Sequence, residues 1–165
     1  MIVVRRRTDD DFAPLEPVAD AVFDNDGYPG VSPWRREHLA HDDVLDAWVA
    51  VVNGHVVGHV ALHGSSLDVV MARAAAHVGH GRLAVVARLF TDPAIRRAGV
   101  GRALLDHASN AARARGLHAI LDVASHDGAA RALYESAGWI DAGEVVMRFP
   151  GVDLPSHVYV APSAA

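Results

Sequence analysis

Residues 96–101, which read Arg-Arg-Ala-Gly-Val-Gly, have the composition of a loop that binds phosphate. They follow an apolar run, and from Val100 onward apolar residues recur at helical spacing. The first turn of a helix has unpaired backbone N–H groups and the positive end of the helix dipole. Glycines let an anion approach that backbone closely, and arginines add positive charge. The segment therefore predicts a site for the phosphate groups of a ligand.

Two common phosphate-binding motifs do not account for this loop. The chain has no Gly-x-x-x-x-Gly-Lys-Ser/Thr sequence of the kind that nucleoside triphosphatases use. The dinucleotide fingerprint needs a third glycine, but Leu104 stands at that position and the loop lies in mid-chain. A Gly-x-Gly at the start of a helix is a weak signal alone, so its neighbours along the chain must decide its meaning.

The elements around the loop predict a mixed α/β sheet in the order β-α-α-β-β-β-α-β-α-β-β. Strands are expected over 2–6, 48–52, 56–63, 83–90, 117–123, 145–149 and 157–160. Helices are expected after Thr8 or Asp9, over 34–43, over 67–77, from Gly99 to Gly116, and from Asp127 to Gly138, with Asp127 as the cap of the last one. Asn53-Gly54 predicts a tight hairpin turn, and residues 24–30 and 150–156 are expected to be loops.

Composition limits the classes of protein to which the chain can belong. With 165 residues, of which 51% are hydrophobic, we expect a single globular domain over 1–165. A net charge of −5 argues against a nucleic-acid partner, and the absence of cysteine excludes disulfides, thiolate ligands and cysteine nucleophiles. No secretory signal and no apolar run of about 18 residues stands out, so we expect a cytoplasmic protein without membrane contact.

A second informative segment, residues 127–139, reads Asp-Gly-Ala-Ala-Arg-Ala-Leu-Tyr-Glu-Ser-Ala-Gly-Trp. It resembles the Asn-x-x-Ala-x-x-Leu-Tyr-x-x-x-Gly-Phe segment of the GNAT superfamily of N-acetyltransferases. The Arg-x-x-Gly-x-Gly sequence at 96–101 resembles motif A of that family, and residues 88–97 are similar to the strand that leads into motif A. The resemblance extends over about residues 2–160 and is strongest over 83–139, where two motifs occur in the family's order.

The resemblance implies a fold and a cofactor. The fold would be a mostly antiparallel sheet of six or seven strands flanked by helices, with a splayed pair of central strands. The cofactor would be acetyl-CoA or coenzyme A, and its pantetheine arm would meet the backbone of Leu89, Phe90 and Thr91. The residues that would surround its pyrophosphate are Arg96, Arg97, Ala98, Gly99, Val100, Gly101 and Arg102. Asp127 and Ala130 of the second segment would complete the cofactor site.

The resemblance also implies a proton donor, but it leaves the general base open. Tyr134 matches the family tyrosine that protonates the departing CoA thiolate, and a phenol is a neutral donor at pH 7. The alternative is a tyrosine packed in the core. Because residues 83–90 contain no carboxylate, the base is left among His59, His63, His80, Asp122 and a water molecule.

The implied reaction is transfer of an acetyl or short acyl group to a primary amine of a small molecule or peptide. Direct attack in a ternary complex fits a chain with no cysteine and no Ser/His/Asp signature. The candidate acceptor residues are Asp24, Tyr28, His59 and His63. Trp34 is expected either to cover the acceptor or to pack in the core. Relatives often dimerise, so the resemblance allows a homodimer.

A catalytically silent acyl-CoA-binding domain of the same fold is the alternative function. Two observations keep it open, namely the missing strand carboxylate and Asp127, which stands where the family has Asn. Trp139 in place of the family's Phe is a conservative aromatic change.

The 11 histidines raise the possibility of a metal site, but their spacing argues against one. His55, His59 and His63 would share one strand face, where residues four apart are separated by about 13 Å. Zinc ligands lie only about 2 Å from the ion, so these three cannot share it. The pairs His38/His41 and His77/His80 have helical spacing but no third ligand. We therefore predict no metal cofactor.

Overall fold

The computed structural model describes residues 1–30, 32–79 and 81–163. The strands are β1 (Ile2–Arg6), β2 (Val44–Val52), β3 (His55–His63), β4 (Arg82–Thr91), β5 (Leu117–Ala124), β6 (Ile140–Phe149) and β7 (Val152–Val160). The helices are α1 (Phe12–Asp26), α2 (Arg36–Leu39), α3 (Asp68–Val78), α4 (Val100–Ala114) and α5 (Gly128–Ser136). Short 3-10 turns occur at Asp9–Asp11 and Pro93–Ile95.

The strands form a seven-stranded sheet in the order β1-β2-β3-β4-β5-β7-β6. Antiparallel ladders join β1 to β2, β2 to β3, β5 to β7 and β6 to β7, whereas β4 and β5 are parallel. The parallel ladder runs from Arg82 opposite Leu117 to Val85 opposite Ile120. These pairings confirm the predicted fold class, a mixed and mostly antiparallel α/β sheet flanked by helices.

The chain forms two compact units, each with its own apolar core. The first comprises Met1–His63 with Val86–Ala108, and the second comprises Gly64–Val85 with Ser109–Ala165. The core of the first unit contains Leu15, Val18, Ala19, Val22, Leu39, Val49 and Phe90. The core of the second contains Val70, Ala74, Val85, Ile120, Val145, Met147, Val158 and Val160. A single-domain organisation stays a prediction.

Most predicted elements are found within two or three residues of their expected ends. The turn between β2 and β3 has Asn53 at φ 50° and Gly54 at φ 78°, the positive values that its sequence predicts. The helix predicted over 67–77 is α3. No helix in the described part of the chain is both long and apolar enough to cross a membrane.

Three local predictions are wrong, and two strands begin four or five residues earlier than predicted, β2 at Val44 and β6 at Ile140. The predicted loop over 24–30 starts late, because α1 continues to Asp26 and ends where Gly27 adopts φ 69°. The helix predicted over 34–43 is only the four-residue α2. The predicted loop before the last strand is instead a hairpin, and Pro155 lies within β7 opposite Val146. A proline fits a strand where its missing N–H is not needed, and here its carbonyl oxygen accepts a hydrogen bond from Ser125.

Candidate functional site

The loop between β4 and α4 has a backbone suited to an anion. Arg97 and Gly99 adopt left-handed conformations, with φ 67° and 86°, on either side of Ala98, and all three residues are exposed. Left-handed residues in such a series can turn backbone N–H groups toward a common concave side. The loop leads directly into α4, whose first residue is Val100. A Cβ at Gly99 would meet only the Ile2 side chain, at 3.9 Å, so glycine is needed there for its conformation rather than for space.

The start of this loop is fixed by two hydrogen bonds of Asp92. Its backbone N–H donates to the carbonyl oxygen of Val57 in β3, over 2.8 Å. Its side chain accepts from the N–H of Ala94, over 2.9 Å, and so caps the 3-10 turn. The loop therefore leaves β4 in a defined direction.

An ion pair with α1 fixes the middle of the loop. The guanidinium of Arg96 donates two hydrogen bonds to Asp26, the last residue of α1, one of them over 2.8 Å. Hydrogen bonding to Arg96 lowers the pKa of the Asp26 carboxyl. Arg102 pairs with Asp106 one turn further along α4, over 3.0 Å. Because both arginines already have carboxylate partners, their predicted contacts with cofactor phosphates stay predictions.

Gly58 in β3 allows close packing among β3, β4 and α4. A Cβ at this position would lie 2.9 Å from Cδ1 of Leu104 and 3.0 Å from the carbonyl oxygen of Phe90. It would also lie 3.3 Å from Cγ1 of Val100. Since no side chain fits there without displacing its neighbours, Gly58 helps to set the position of the first turn of α4.

The regular conformation of β4 is interrupted at Arg88, which has φ 54°. The ring of His59 lies against this point, with Nδ1 2.8 Å from the carbonyl oxygen of Arg88. Its Nε2 is 2.9 Å from Nη1 of Arg7. Arginine can only donate, so Nε2 accepts, and Nδ1 carries the proton that it donates to Arg88. The three residues form one hydrogen-bonded chain.

His59 is therefore not positioned to contact an acceptor or to act as a base. It is 0% exposed, and both ring nitrogens already have protein partners. Burial lowers its pKa to about 3, so it stays neutral at pH 7. Phe90 stacks on the ring with the centroids 5.3 Å apart. The structure thus indicates that His59 fixes the position of β4, whereas the sequence predicted that it contacts the acceptor.

Trp34, Arg88 and Tyr28 form a second cluster in the same unit, and His63 is close enough for the charge of Arg88 to affect it. The guanidinium of Arg88 lies 4.6 Å from the centroid of the Trp34 ring, and Tyr28 meets Trp34 edge-on at 5.8 Å. Trp34 also packs against the apolar core of this unit. His63 is buried, and this burial, with a smaller effect of the Arg88 charge, lowers its pKa to about 4. Of the predicted acceptor residues, Tyr28 belongs to this cluster and His63 lies near it.

The remaining candidates are less informative. Asp24 is exposed near the end of α1, and Asp122 is half-buried in β5. His80 lies outside the described residues. Within the described ranges, no three His, Asp or Glu side chains are grouped closely enough to hold a metal ion.

In the second unit, Asp127 caps α5 as predicted. Its Oδ1 accepts a hydrogen bond from the N–H of Ala130 over 3.1 Å, so aspartate keeps the capping function of the family's asparagine. Tyr134, on the same helix, is 8% exposed and packs against Tyr159 and Trp139 with ring centroids 5.7 and 6.4 Å away. This packing agrees with a structural role, and the predicted proton donation by Tyr134 stays a prediction.

Sequence reasoning did not find Arg88, Arg7 or Gly58. An isolated glycine within a strand often marks a close approach of another backbone, so Gly58 had a signal. Arg88 stands in an otherwise apolar run, which is also unusual. The hydrogen bond between Arg7 and His59 joins residues 52 positions apart, and no local sequence pattern predicts it.

Comparison with models of known protein families identifies the family to which the chain belongs. The model of the acetyltransferase (GNAT) family matches residues 11–139, a range that contains the 96–101 loop, Asp127 and Tyr134. The chain belongs to this family. Comparison with curated protein sequences gives no match.

Solved structures of N-acetyltransferases have the same fold. The ribosomal-protein-S18-alanine N-acetyltransferase of Escherichia coli matches with a TM-score of 0.69 and 22% identity, over 100% of this chain and 96% of that one. Arabidopsis thaliana NAA60 in complex with acetyl-CoA matches with a TM-score of 0.72 and 17% identity, over 97% and 98%. An N-acetyltransferase of Staphylococcus aureus matches with a TM-score of 0.72 and 15% identity, over 97% of each chain.

Proposed function

We propose that the protein transfers an acetyl or short acyl group from acetyl-CoA to a primary amine of a small molecule or peptide. The observation that carries the proposal is the exposed loop with Arg97 and Gly99 in left-handed conformations at the start of α4. This loop lies within the residues that match the GNAT family. The structural neighbour from Arabidopsis thaliana contains acetyl-CoA, which supports the choice of donor.

The backbone N–H groups of residues 97–102 would hold the pyrophosphate of the cofactor at the positive end of α4. The backbone of Leu89, Phe90 and Thr91 in β4 would hold the pantetheine arm by hydrogen bonds. Acetyl-CoA, when bound, supplies an acyl group activated as a thioester. The role of the chain is then to bind the donor, to orient the amine and to move protons.

The reaction is a direct transfer. The amine nitrogen attacks the thioester carbonyl carbon, the C–S bond breaks, and an amide and a CoA thiolate result. The hydroxyl of Tyr134 gives its proton to the thiolate and is reprotonated from solvent. The nitrogen loses one proton to water or to a protein base, and the residues predicted for that role include His63, His80 and Asp122. The amine must react in its neutral form, because only a neutral amine has the free electron pair that attacks the carbonyl carbon.

Calorimetry with acetyl-CoA and CoA, followed by thiol-release assays on a panel of small amines and peptides, tests this function. We expect micromolar binding of both cofactors and turnover of at least one class of amine, with the N-acetylated product identified by mass spectrometry. Binding of CoA without turnover of any amine would favour a silent acyl-CoA-binding domain. Absence of CoA binding would overturn both functions.

A further inference from the structure

Three buried polar side-chain atoms in the described residues have no hydrogen-bond partner. They are Nε of Arg88, Nε1 of Trp34 and Nε2 of His63. The Arg88 guanidinium lies over the Trp34 ring, and the charge of Arg88 helps to lower the pKa of His63. A buried donor without a partner is unfavourable, because it has given up its hydrogen bonds to water. Two such donors on the contacting side chains of Arg88 and Trp34 point to a polar group that joins them, which is a water molecule, an ion or a ligand.

The chemistry of these atoms defines that ligand. The N–H groups of the Arg88 guanidinium and of the Trp34 indole can only donate hydrogen bonds. Their complement is therefore an acceptor, and beside a permanently charged guanidinium the best acceptor is an anion. His63 is neutral at pH 7 because burial lowers its pKa to about 4, so it adds no second positive charge beside Arg88.

No carboxylate in the described ranges forms an ion pair with Arg88. Arg97 is also without a carboxylate partner there, but it is exposed in the loop before α4, whereas Arg88 is half-buried. The arginines of this unit that have a carboxylate partner are Arg5, Arg6, Arg35, Arg36, Arg96 and Arg102. Arg7 instead binds the carbonyl oxygen of Leu39 and the ring of His59. A guanidinium that is half-buried, stacked on an indole and unpaired is suited to a planar oxyanion.

We propose that the acceptor amine carries a carboxylate, and that Arg88 and the indole N–H of Trp34 bind it. The inference rests on the proposed function, and it narrows the acceptor to amino acids or to peptides with an acidic residue. The carboxylate accepts hydrogen bonds from Nε of Arg88 and Nε1 of Trp34, and the amino group is left free to react. Tyr28 and His63 border the same cluster and contact the body of the acceptor.

The test compares acceptors that differ only in this charge. The probes are the common L-amino acids, their carboxamides, and peptides with amidated C-termini that begin with either aspartate or asparagine. Arg88→Met removes the charge and keeps an L residue at φ 54°, so backbone strain is unchanged. Arg88→Lys keeps the charge but lacks the guanidinium fork. Arg82→Met, at an exposed position of the same strand, is the matched control.

We expect wild type to prefer the carboxylate over the carboxamide in at least one pair. Arg88→Met should lower kcat/KM for that acid by about 10- to 100-fold, as expected for a lost charge-assisted hydrogen bond, and change kcat/KM for the amide by less than about twofold. The kcat/KM of Arg88→Lys for the acid should lie between the values of Arg88→Met and wild type. The kcat/KM of Arg82→Met should match that of wild type. A preference within the pairs of amino acid and carboxamide indicates that the main-chain carboxylate is bound. A preference within the aspartate and asparagine peptides indicates that a side-chain carboxylate is bound.

An equal loss for acids and amides, or a preference of wild type for amides, overturns the inference. If wild type binds acetyl-CoA but acetylates no amine, the proposed function fails, and binding decides the inference instead. Calorimetry at constant ionic strength should then show binding of an L-amino acid that its carboxamide lacks and that Arg88→Met abolishes. Equal binding of the two forms, or no binding of either, overturns the inference in that case.

Discussion

The Nδ1 atom of His59 lies 2.8 Å from the carbonyl oxygen of Arg88, the residue at which β4 leaves its regular conformation. A buried ring on β3 thus fixes the backbone of the neighbouring strand at its most unusual residue. On the other side, the same ring accepts a hydrogen bond from Arg7, which follows β1. Three separate parts of the chain therefore determine the position of Arg88.

Replacing His59 with leucine should weaken the fold and cofactor binding together. The substitution roughly keeps the volume but removes the hydrogen bonds of the ring to the Arg88 carbonyl and to Arg7, which keeps only its bond to Leu39, so we expect the free energy of unfolding to fall by about 2–4 kcal/mol. Urea denaturation measures this loss, and calorimetry measures the weaker binding of acetyl-CoA. His55→Leu, at an exposed position of the same strand, should change stability by less than about 0.5 kcal/mol. Equal effects of the two variants would contradict the role of His59.

Acidification from pH 7 to pH 5 should destabilise the protein through His59 and His63. Burial lowers the pKa of these residues to about 3 and about 4, whereas both titrate near 6.5 in the unfolded chain. Between these pKa values the unfolded state binds protons that the folded state does not. The free energy of unfolding is therefore highest above about pH 6.5 and falls as the pH drops toward the folded-state values. Each histidine contributes about 1.4 kcal/mol per pH unit at most.

The contribution of His63 can be isolated by denaturation at several pH values. Between pH 5 and 6, the unfolding free energy of His63→Gln should depend less on pH than that of wild type. The difference in slope should correspond to about one proton, or about 1.4 kcal/mol per pH unit. The hydrogen-bonded carboxyls of Asp11 and Asp26 do not interfere, because their lowered pKa values place their effect below pH 4. Identical slopes in the two proteins would show that His63 titrates normally.

The ion pair between Arg96 and Asp26 should act as an anchor for the loop. If so, Arg96→Met and Asp26→Asn should each weaken acetyl-CoA binding by about two- to fivefold, since the pair is partly exposed, and the double variant should add little. Arg113→Met, at an exposed position near the end of α4, serves as the charge control. A much larger effect of Arg96→Met than of Asp26→Asn would instead show that Arg96 contacts the cofactor phosphates directly.

Gly99→Glu should abolish acetyl-CoA binding. The new carboxylate would stand at the start of α4, where it would repel the pyrophosphate and fill its space. Gly151→Glu imposes a comparable left-handed strain, because Gly151 has φ 78° and an unobstructed Cβ direction, but it lies in the hairpin between β6 and β7. The two variants should lose similar stability, and only Gly99→Glu should lose binding. Retained binding in Gly99→Glu would remove the loop from the cofactor site.

Local patterns predicted the elements of this fold well. Apolar periodicity located α4 and α5, glycines and Asn53 located the turns, and Asp127 identified the cap of α5, because each of these signals lies within a few residues of its effect. The full hairpin of β6 and β7 was missed, because Pro155 and Gly151 favour a loop locally, whereas β7 is set by its pairing with β6 and with the distant β5.

The candidate site was less predictable than the fold. The loop over 96–101 could be recognised because its function lies in consecutive residues. The role of His59 could not, since a histidine in a strand gives no sign of whether its ring will face an acceptor or a buried carbonyl group. The environment of Arg88 likewise depends on Trp34 and His63, which lie 54 and 25 positions away in sequence.

Tyr134→Phe distinguishes a proton donor from a packed aromatic ring. If Tyr134 protonates the thiolate, its loss should lower kcat by about 100-fold or more with little change in acetyl-CoA affinity, because the ring itself is retained. Tyr159→Phe is the matched control, since Tyr159 packs against Tyr134 at 5.7 Å and its hydroxyl accepts a hydrogen bond from Arg131. That variant should lose stability but keep kcat within about twofold. Unchanged kcat in Tyr134→Phe would leave packing against Tyr159 and Trp139 as the role of this residue, and proton donation would then fall to solvent.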